Sequence, residues 1–416
     1  MSTHPTPEPG VPGKAGPGGP WSRDFHHDFD MDSPEFNQHY EAIVDDLVRT
    51  CPMARSEANG GYWLVSRYED VRQATQDPET FSSEALGVML EPIAGRGPNV
   101  PEETDPPRHD QWRRILNRYF SPTYVARYEP AIRATCDGLI DQFIADGECD
   151  IVPVFTGPLP GIVFFTQVMG MPEEDLPLLR KIAAQAIHGL PEERPAGWVA
   201  LGEHVAAYLE RRKEEPPRDD VIDAVLGAEF DGVPPPWEEK VSCVTTLVSG
   251  GLNTTSVVAT GAVHHFASSP ADRERALADP QALNRAIEEV LRFYNPAFAI
   301  GRTATRDVEF VGQSIRKGER VFVGYGAACR DPDQFPDPLR FDMDRKINNH
   351  VAFGLGPHRC IGAHLVRLDL GVALTQLLTR VKNLRLAGEP VYATSMLREL
   401  ESLPVAFDPV PARSRG

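Results

Sequence analysis

The sequence predicts a mainly α protein with small β-sheets. Apolar residues recur at helical spacing over 236–269 and over four shorter segments: 124–145, 159–169, 174–188 and 197–214. Runs of strand-forming residues are shorter and fewer, as at 62–66, 308–311 and 320–324. Helices should therefore make up most of the protein.

Composition is that of an ordinary globular chain and excludes several classes of function. Of the 416 residues, 41% are hydrophobic and 25% are charged. The net charge of -18 argues against a nucleic-acid partner, because such proteins need a basic face. No apolar run is long enough to predict a membrane span. Residues 1–20 are rich in Pro and Gly and lack the apolar core of a signal peptide, so we expect a disordered tail.

The six cysteines are scattered and form no C-x-x-C pair. Their spacing predicts neither a disulfide framework nor a zinc site, and it fits a reducing cytoplasm.

The first part of the chain holds a predicted strand at 62–66, a helix at 68–76 and an irregular segment at 82–107. A segment of this length without regular structure is usually functional. With apolar residues such as Leu90, it is a candidate for covering a substrate.

A short helix follows the sequence Asp105-Pro106-Pro107. It places His109 and Arg113 four residues apart and therefore on one face. Taken alone, such a pair is more typical of a solvated surface. The predicted helices 174–188 and 197–214 are joined by a Pro-containing connection, which is compatible with a lid or with a plain helical hairpin.

The long apolar helix over 236–269 contains Gly250 and Gly251 near its middle, where each glycine costs about 1 kcal/mol relative to alanine. Asn253 and Thr254 follow directly. Polar residues beside helix-weakening glycines indicate a local distortion with a functional purpose. The alternative is close packing between helices, with a threonine bonded to its own backbone.

Two arginines further along are ambiguous on their own. Glu289 and Arg292 are three residues apart, which usually gives a weak surface pair. Arg302 fits a solvated strand end.

The segment 353–362 is a glycine-rich turn that carries Cys360 into the start of a helix, where the helix dipole favours a thiolate. It matches F-G-x-G-x-H-x-C-x-G without a mismatch and resembles the haem-binding loop of the cytochrome P450 family. His109/Arg113, the glycine segment at 250–254, Glu289/Arg292 and Arg302 resemble other motifs of that family, in the same order along the chain.

The resemblance implies a single domain over 21–416 with the cytochrome P450 fold, in which haem b lies between the long central helix and the cysteine-loop helix. It implies that Cys360 is the axial thiolate ligand of the iron. The implied haem-binding residues are His109, Arg113, Arg302, His358, Phe353, Gly354 and Gly356. It also implies a structural lock made by Glu289, Arg292 and Arg340.

On the other side of the haem, the resemblance implies an oxygen-binding groove formed by Gly250, Gly251, Asn253 and Thr254. Asn253 departs from the pattern, because the family usually has Asp or Glu there and an amide can position water but cannot relay a proton as an acid does. The substrate-pocket residues expected are Leu90, Thr246, Ser249, Ala297, Phe298, Ile300, Met396 and Leu397.

The function that the resemblance implies is a cytoplasmic haem-thiolate monooxygenase. It would insert one oxygen atom from O2 into a small or medium apolar substrate, terpenoid-like or aromatic. Electrons would come from a ferredoxin with its ferredoxin reductase, which Arg345, Arg359 and Arg367 could attract around the cysteine face. Alternatives are a peroxide-driven or atypical haem-thiolate enzyme, and a haem-dependent ligand-binding or sensor protein without turnover.

Overall fold

The structure is a computed structural model that describes residues 19–88, 97–188, 192–393 and 398–410, with the backbone alone at 187, 188 and 252. The predicted residues Leu90, Met396 and Leu397 lie outside these ranges, as do residues 1–18 of the expected tail.

Helices dominate the described chain, as the sequence predicted. They are α1 Pro34–Gln38, α2 Tyr40–Thr50, α3 Tyr68–Gln76, α4 Arg108–Leu116, α5 Pro122–Val125, α6 Glu129–Phe143, α7 Pro158–Val163, α8 Leu176–His188, α9 Arg194–Lys213, α10 Val221–Leu226, α11 Trp237–Leu252, α12 Thr254–Ser268, α13 Pro270–Ala278, α14 Pro280–Phe293, α15 Tyr325–Ala328 and α16 Ala363–Arg380. Two π-helical turns, Val152–Thr156 and Phe164–Val168, flank α7.

Among the described residues, the strands are short and form four small sheets. They are β1 Met53–Ser56, β2 Tyr62–Val65, β3 Phe81–Ser82, β4 Glu148–Asp150, β5 Ile300–Ala304, β6 Val308–Phe310, β7 Gln313–Ile315, β8 Arg320–Val323, β9 Val381–Leu386, β10 Val391–Tyr392, β11 Leu400–Ser402 and β12 Pro404–Pro409. The largest sheet has the order β1-β2-β8-β5-β3, with β2 and β8 parallel and its other pairs antiparallel.

The long central helix, which the sequence predicted as one element over 236–269, is divided in two. α11 ends at Leu252 and α12 begins at Thr254, with Asn253 between them at φ -109° and ψ -33°. The expected local distortion is thus confirmed at the residues that follow the two glycines. By length and composition Trp237–Ser268 could cross a membrane, but 53% of its most apolar window is buried inside the protein.

α8 and α9 pack against each other, and α9 also packs against α11. Gly197 allows this approach, because a Cβ there would lie 2.5 Å from the backbone nitrogen of Ala186. The two helices therefore form a closely packed pair.

A buried ion pair stabilises the region beneath the cysteine loop. Arg292 donates to both carboxylate oxygens of Glu289 at 2.7 and 2.8 Å, and neither side chain has exposed surface. Arg292 also donates to the backbone oxygens of Cys329 and Pro338, each at 2.9 Å. These bonds tie α14 to the segment that leads into the cysteine loop.

The prediction that Arg340 is the third member of this lock is wrong. The side chain of Arg340 is 69% exposed and lies 3.4 Å from Asp342, and only its backbone oxygen accepts a bond from Arg292. Arg345 takes its place, with Nε 3.3 Å from both oxygens of Glu289 and a side chain that is 6% exposed. Arg345 therefore does not belong to a surface patch. The reason is the course of the loop, which points the side chain at 340 outward and the one at 345 inward.

Candidate active site

A cavity of about 310 Å³ lies between the α11–α12 pair and the start of α16, with α4 and β5 on its other sides. The sequence-predicted site residues that line it are Thr246, Gly250, Gly251, Thr254, His109, Arg113, Ala297, Ile300, Arg302, Phe353, Gly354, His358 and Cys360. Residues up to 251 positions apart in the chain thus meet at one place, from His109 to Cys360.

The cysteine loop is a tight turn held by its own backbone. The N–H of Cys360 donates to the carbonyl of Phe353 at 2.7 Å, and Gly354 and Gly356 adopt positive φ angles of 67° and 69°. Gly354 lines the cavity, whereas Gly356 packs against the backbone oxygen of Thr75 at the end of α3. Gly356 therefore does not line the cavity, and the expectation that it contacts a cofactor is corrected. This glycine instead allows the loop to pass close to α3.

Cys360 lines the cavity, and it is an exposed residue of the protein. Burial raises the pKa of Cys360, while the backbone N–H of Gly362 and the guanidinium of Arg113 act in the opposite direction. The net shift is upward, so the protein alone does not stabilise the thiolate fully. A metal cation at the sulfur would supply the positive charge that a thiolate requires.

Two arginines and two histidines surround the same side of the cavity. His109 and Arg302 are 2% and 3% exposed, and the rings of His109 and His358 are 4.3 Å apart. Arg113 donates to the backbone oxygen of Arg359 at 2.9 Å, which joins α4 to the cysteine loop. The structure thus brings together all four donors that the sequence predicted.

This cluster fits an anionic group. Burial, together with the electrostatic effects of Arg302, His109 and Arg113, lowers the pKa of His358 to about 2, so its ring is neutral at physiological pH. The Nε2 atom of His358 is buried and has no hydrogen-bond partner among the described residues. A buried polar atom without a partner costs free energy, and carboxylates bound here would satisfy both the orphan nitrogen and the arginines.

The break between α11 and α12 borders the cavity opposite Cys360. Thr254 lines the cavity and donates its hydroxyl hydrogen to the carbonyl of Gly250 at 3.1 Å. A Cβ on Gly250 would meet nothing within 4 Å, whereas a Cβ on Gly251 would lie 2.6 Å from the ring of Phe164. Gly251 is thus required for packing and Gly250 leaves open space. Asn253 is half-buried and is not part of the cavity lining.

The predicted pocket residues divide by the direction of their side chains. Thr246, Ala297 and Ile300 line the cavity, but Phe298 does not. Phe298 packs instead in an aromatic cluster with Phe29, Phe36 and Tyr40, at ring distances of 5.0 to 5.9 Å. The backbone is irregular here, with bends at Pro296 and Phe298, and it directs the Phe298 side chain away from the cavity that Pro296 and Ala297 both line.

Ser249 is a further correction. Its hydroxyl donates to the backbone oxygen of Thr246 at 3.0 Å, and it does not line the cavity. Sequence reasoning also missed lining residues, among them Pro160, Phe164, Tyr325 and Asp369. For Asp369 a signal was available, because it is an acid between two leucines, Leu368 and Leu370, of α16.

Comparison with known proteins gives consistent matches. The family model described as Cytochrome P450 matches residues 271–386. Nocardicin C N-oxygenase of Nocardia uniformis is 35% identical over 361 residues, which are 83% of this chain and 89% of that protein. Cytochrome P450 109 of Bacillus spizizenii is 32% identical over 349 residues, covering 81% of this chain and 83% of the relative.

Solved structures agree with the fold. The crystal structure of CYP108D1 from Novosphingobium aromaticivorans superposes with a TM-score of 0.83 at 30% sequence identity, covering 90% of this chain and 96% of that one. The mainly α fold with small sheets is therefore confirmed at the level of the whole architecture.

Proposed function

This chain belongs to the cytochrome P450 family and is a haem-thiolate monooxygenase, and from that premise we propose that it oxidises a small or medium apolar molecule, terpenoid-like or aromatic, with electrons from an external ferredoxin. The observation that carries the proposal is the cavity itself. Cys360 and the four-donor cluster lie on one side, and the apolar residues Leu247, Leu291, Pro296, Ala297 and Ile300 contribute to its walls.

In this proposal Cys360 ligates the haem iron. His109, Arg113, Arg302 and His358 would bind the two propionates, and Phe353 and Gly354 would help to hold the haem. When bound, the haem activates O2, and its thiolate ligand favours cleavage of the O–O bond. The chain contributes orientation, exclusion of water and the placement of protons.

The electron donor proposed is a ferredoxin, reduced by its ferredoxin reductase, and the compartment proposed is the cytoplasm. Of the three arginines first considered for a basic patch, Arg359 is exposed beside Cys360. Arg367 is paired with Glu288 at 2.6 Å, and Arg345 is bound to Glu289. Arg359 therefore supports this docking face more strongly than the other two.

Thr254 lies on the side of the cavity opposite Cys360, and Asn253 lies beside it at the helix break, outside the cavity lining. Because the hydroxyl hydrogen of Thr254 is held by the carbonyl of Gly250, its oxygen lone pairs are free to accept a bond from a group in the cavity. Asn253 contributes an amide at the helix break, which orients hydrogen-bond partners and does not release a proton at physiological pH.

We expect Asn253→Asp to raise the share of electrons that end in product, by up to about tenfold, if the amide limits proton delivery. The measurement is product formed per NADH consumed, with Asn253→Ala as the control that removes the amide without adding an acid. A fall in this ratio in Asn253→Asp would show instead that the amide is a working part of the site.

The proposed function is tested by supplying NADH, a ferredoxin and its reductase to the haem-loaded protein. A panel of terpenoid and aromatic compounds is first screened for a shift of the haem absorption spectrum, and the binders are then assayed for oxygenated products. Products that require the ferredoxin support the proposal. Products with peroxide alone favour a peroxide-driven enzyme, and spectral shifts without any product favour a ligand-binding or sensor protein.

A further inference from the structure

One wall of the cavity is formed by an irregular segment that other elements hold in place. Pro296 and Ala297 line the cavity here, together with Ile300 at the start of β5. The segment runs from the end of α14 at Phe293 to the start of β5. Backbone groups are strong hydrogen-bonding groups, and this segment has no helix of its own to pair them. The partners of its carbonyl groups therefore decide where the wall lies.

Two arginines from separate parts of the chain donate to these carbonyl groups. Nη2 of Arg330 donates to the carbonyl of Phe293 at 2.8 Å, where α14 ends. The backbone N–H of Arg398, which precedes β11, donates to the carbonyl of Pro296 at 3.3 Å. Arg330 thus holds the beginning of the segment, and Arg398 holds it beside the cavity.

The side chains of both arginines meet at Glu41 on α2, outside the cavity. Nη1 of Arg398 lies 2.6 Å from Oε1 of Glu41, and Nε of Arg330 lies 3.0 Å from Oε2. The side chain of Arg330 is only 1% exposed, so its charge depends on this carboxylate more than on water. Although partial burial opposes the shift, the charges of Arg330 and Arg398 lower the pKa of Glu41 to about 2. The carboxyl group is therefore ionised at physiological pH.

The ring of Tyr40, next to Glu41, contacts both guanidinium groups. Cζ of Arg398 lies 4.0 Å from the centroid of this ring, and Cζ of Arg330 lies 5.0 Å from it. Both distances are within the range of an attractive cation–π contact. Tyr40 also packs against Phe298, at a ring distance of 5.8 Å, and Phe298 directly follows Ala297. α2 therefore contacts the wall segment through an aromatic side chain as well as through the two arginines.

We propose that Glu41 is a positioning residue for substrate selection, which acts through Arg330 and Arg398 to set where Pro296 and Ala297 border the cavity. This inference deepens the proposed function and rests on it, because it takes the cavity to be the substrate site. Without the carboxylate, the two guanidinium groups repel each other and the Arg398 side chain loses its bond to α2. Because the backbone N–H of Arg398 holds Pro296, the wall becomes less ordered.

Two iron ligands of different size measure the state of the wall without turnover. Imidazole binds to the haem iron alone, whereas phenylimidazole also needs room for its phenyl ring in the cavity. The shift of the haem absorption spectrum gives both dissociation constants for wild-type holoenzyme, Glu41→Gln and Arg398→Ala. The Kd of phenylimidazole should rise about fivefold or more in both variants, because a wall that must be ordered on binding lowers affinity. The Kd of imidazole should change by less than about twofold.

Asp45→Asn is the matched control, because Asp45 lies on the same helix and pairs with the exposed Arg49 at 2.9 Å, without a bond to the wall segment. It should leave both dissociation constants within about twofold of wild type. Arg398→Lys restores the cation and should return the Kd of phenylimidazole toward the wild-type value. The double variant of Glu41→Gln and Arg398→Ala should bind no more weakly than the weaker single variant, since both changes break one connection.

Urea unfolding of the same holoenzymes separates positioning from general stability. A Glu41→Gln protein that is less stable but binds both imidazoles as wild type does would overturn the inference. Equal changes in Asp45→Asn, or additive losses in the double variant, would also overturn it. Neither imidazole requires a ferredoxin or O2. The expected change in phenylimidazole binding, in an enzyme that forms no product with any ferredoxin, would contradict the proposed function and still support the role of Glu41.

Discussion

Cys360→Ser should abolish the red-shifted absorption band that the reduced, CO-bound form shows in this family, and monooxygenase activity should fall by more than about a hundredfold. The size of this loss follows from the position of Cys360. Removing a group that only supports a metal ligand lowers metal affinity or activity by about 10–100-fold, and removing the ligand itself lowers it further. A serine hydroxyl at this place ionises far less readily than a thiol, although the loop bond from the backbone N–H of residue 360 to Phe353 is retained.

The matched control for this variant is Cys51→Ser. Cys51 is half-buried, lies outside the cavity lining, and its thiol is 3.6 Å from the backbone oxygen of Met53. It should leave the spectrum and the activity close to wild type. An unchanged CO-bound spectrum in Cys360→Ser would refute Cys360 as the ligand, whereas equal losses in both variants would indicate a general effect of removing sulfur.

The parts of the site that could be predicted from the sequence are those set by short-range geometry. His109 and Arg113 share a helical face because they are four residues apart, and the turn from Phe353 to Cys360 is encoded by glycines that adopt positive φ. Residues of both motifs line the cavity, as expected. Resemblance to a family supplied the rest, since spacing alone does not bring 109 to 358.

The wrong predictions concern side chains whose direction depends on an irregular backbone. Ala297 and Ile300 face the cavity while Phe298 packs against Phe29, and no periodicity in this short segment distinguishes them in advance. Gly251 was predicted at the site, but its contact with Phe164 was missed for a related reason. The contact depends on a π-helical turn beside a helix break, and neither is visible as a repeat of apolar residues.

The ion-pair cluster around Glu289 gives a second large effect and tests the correction from Arg340 to Arg345. Arg292→Ala should lower the free energy of unfolding by about 3–5 kcal/mol, because it leaves the carboxylate of Glu289 buried without its main partner. Arg345→Ala should cost about 1–3 kcal/mol, since it removes the charged contact to Glu289 and the 2.7 Å bond to the backbone oxygen of Pro336.

Arg340→Ala is the matched control, because it removes an arginine from the same loop and keeps the backbone oxygen that accepts from Arg292 and Arg345. Its side chain is mostly exposed, so its loss should change the free energy of unfolding by no more than about 0.5 kcal/mol. Urea unfolding of the three holoenzyme variants measures their free energies of unfolding and so gives the order of the three losses. A larger loss of stability in Arg340→Ala than in Arg345→Ala would reinstate Arg340 as the third member of the lock. The expected order would show that the loop turns the side chain at 345 inward to Glu289, in place of the arginine that the resemblance to the family implied.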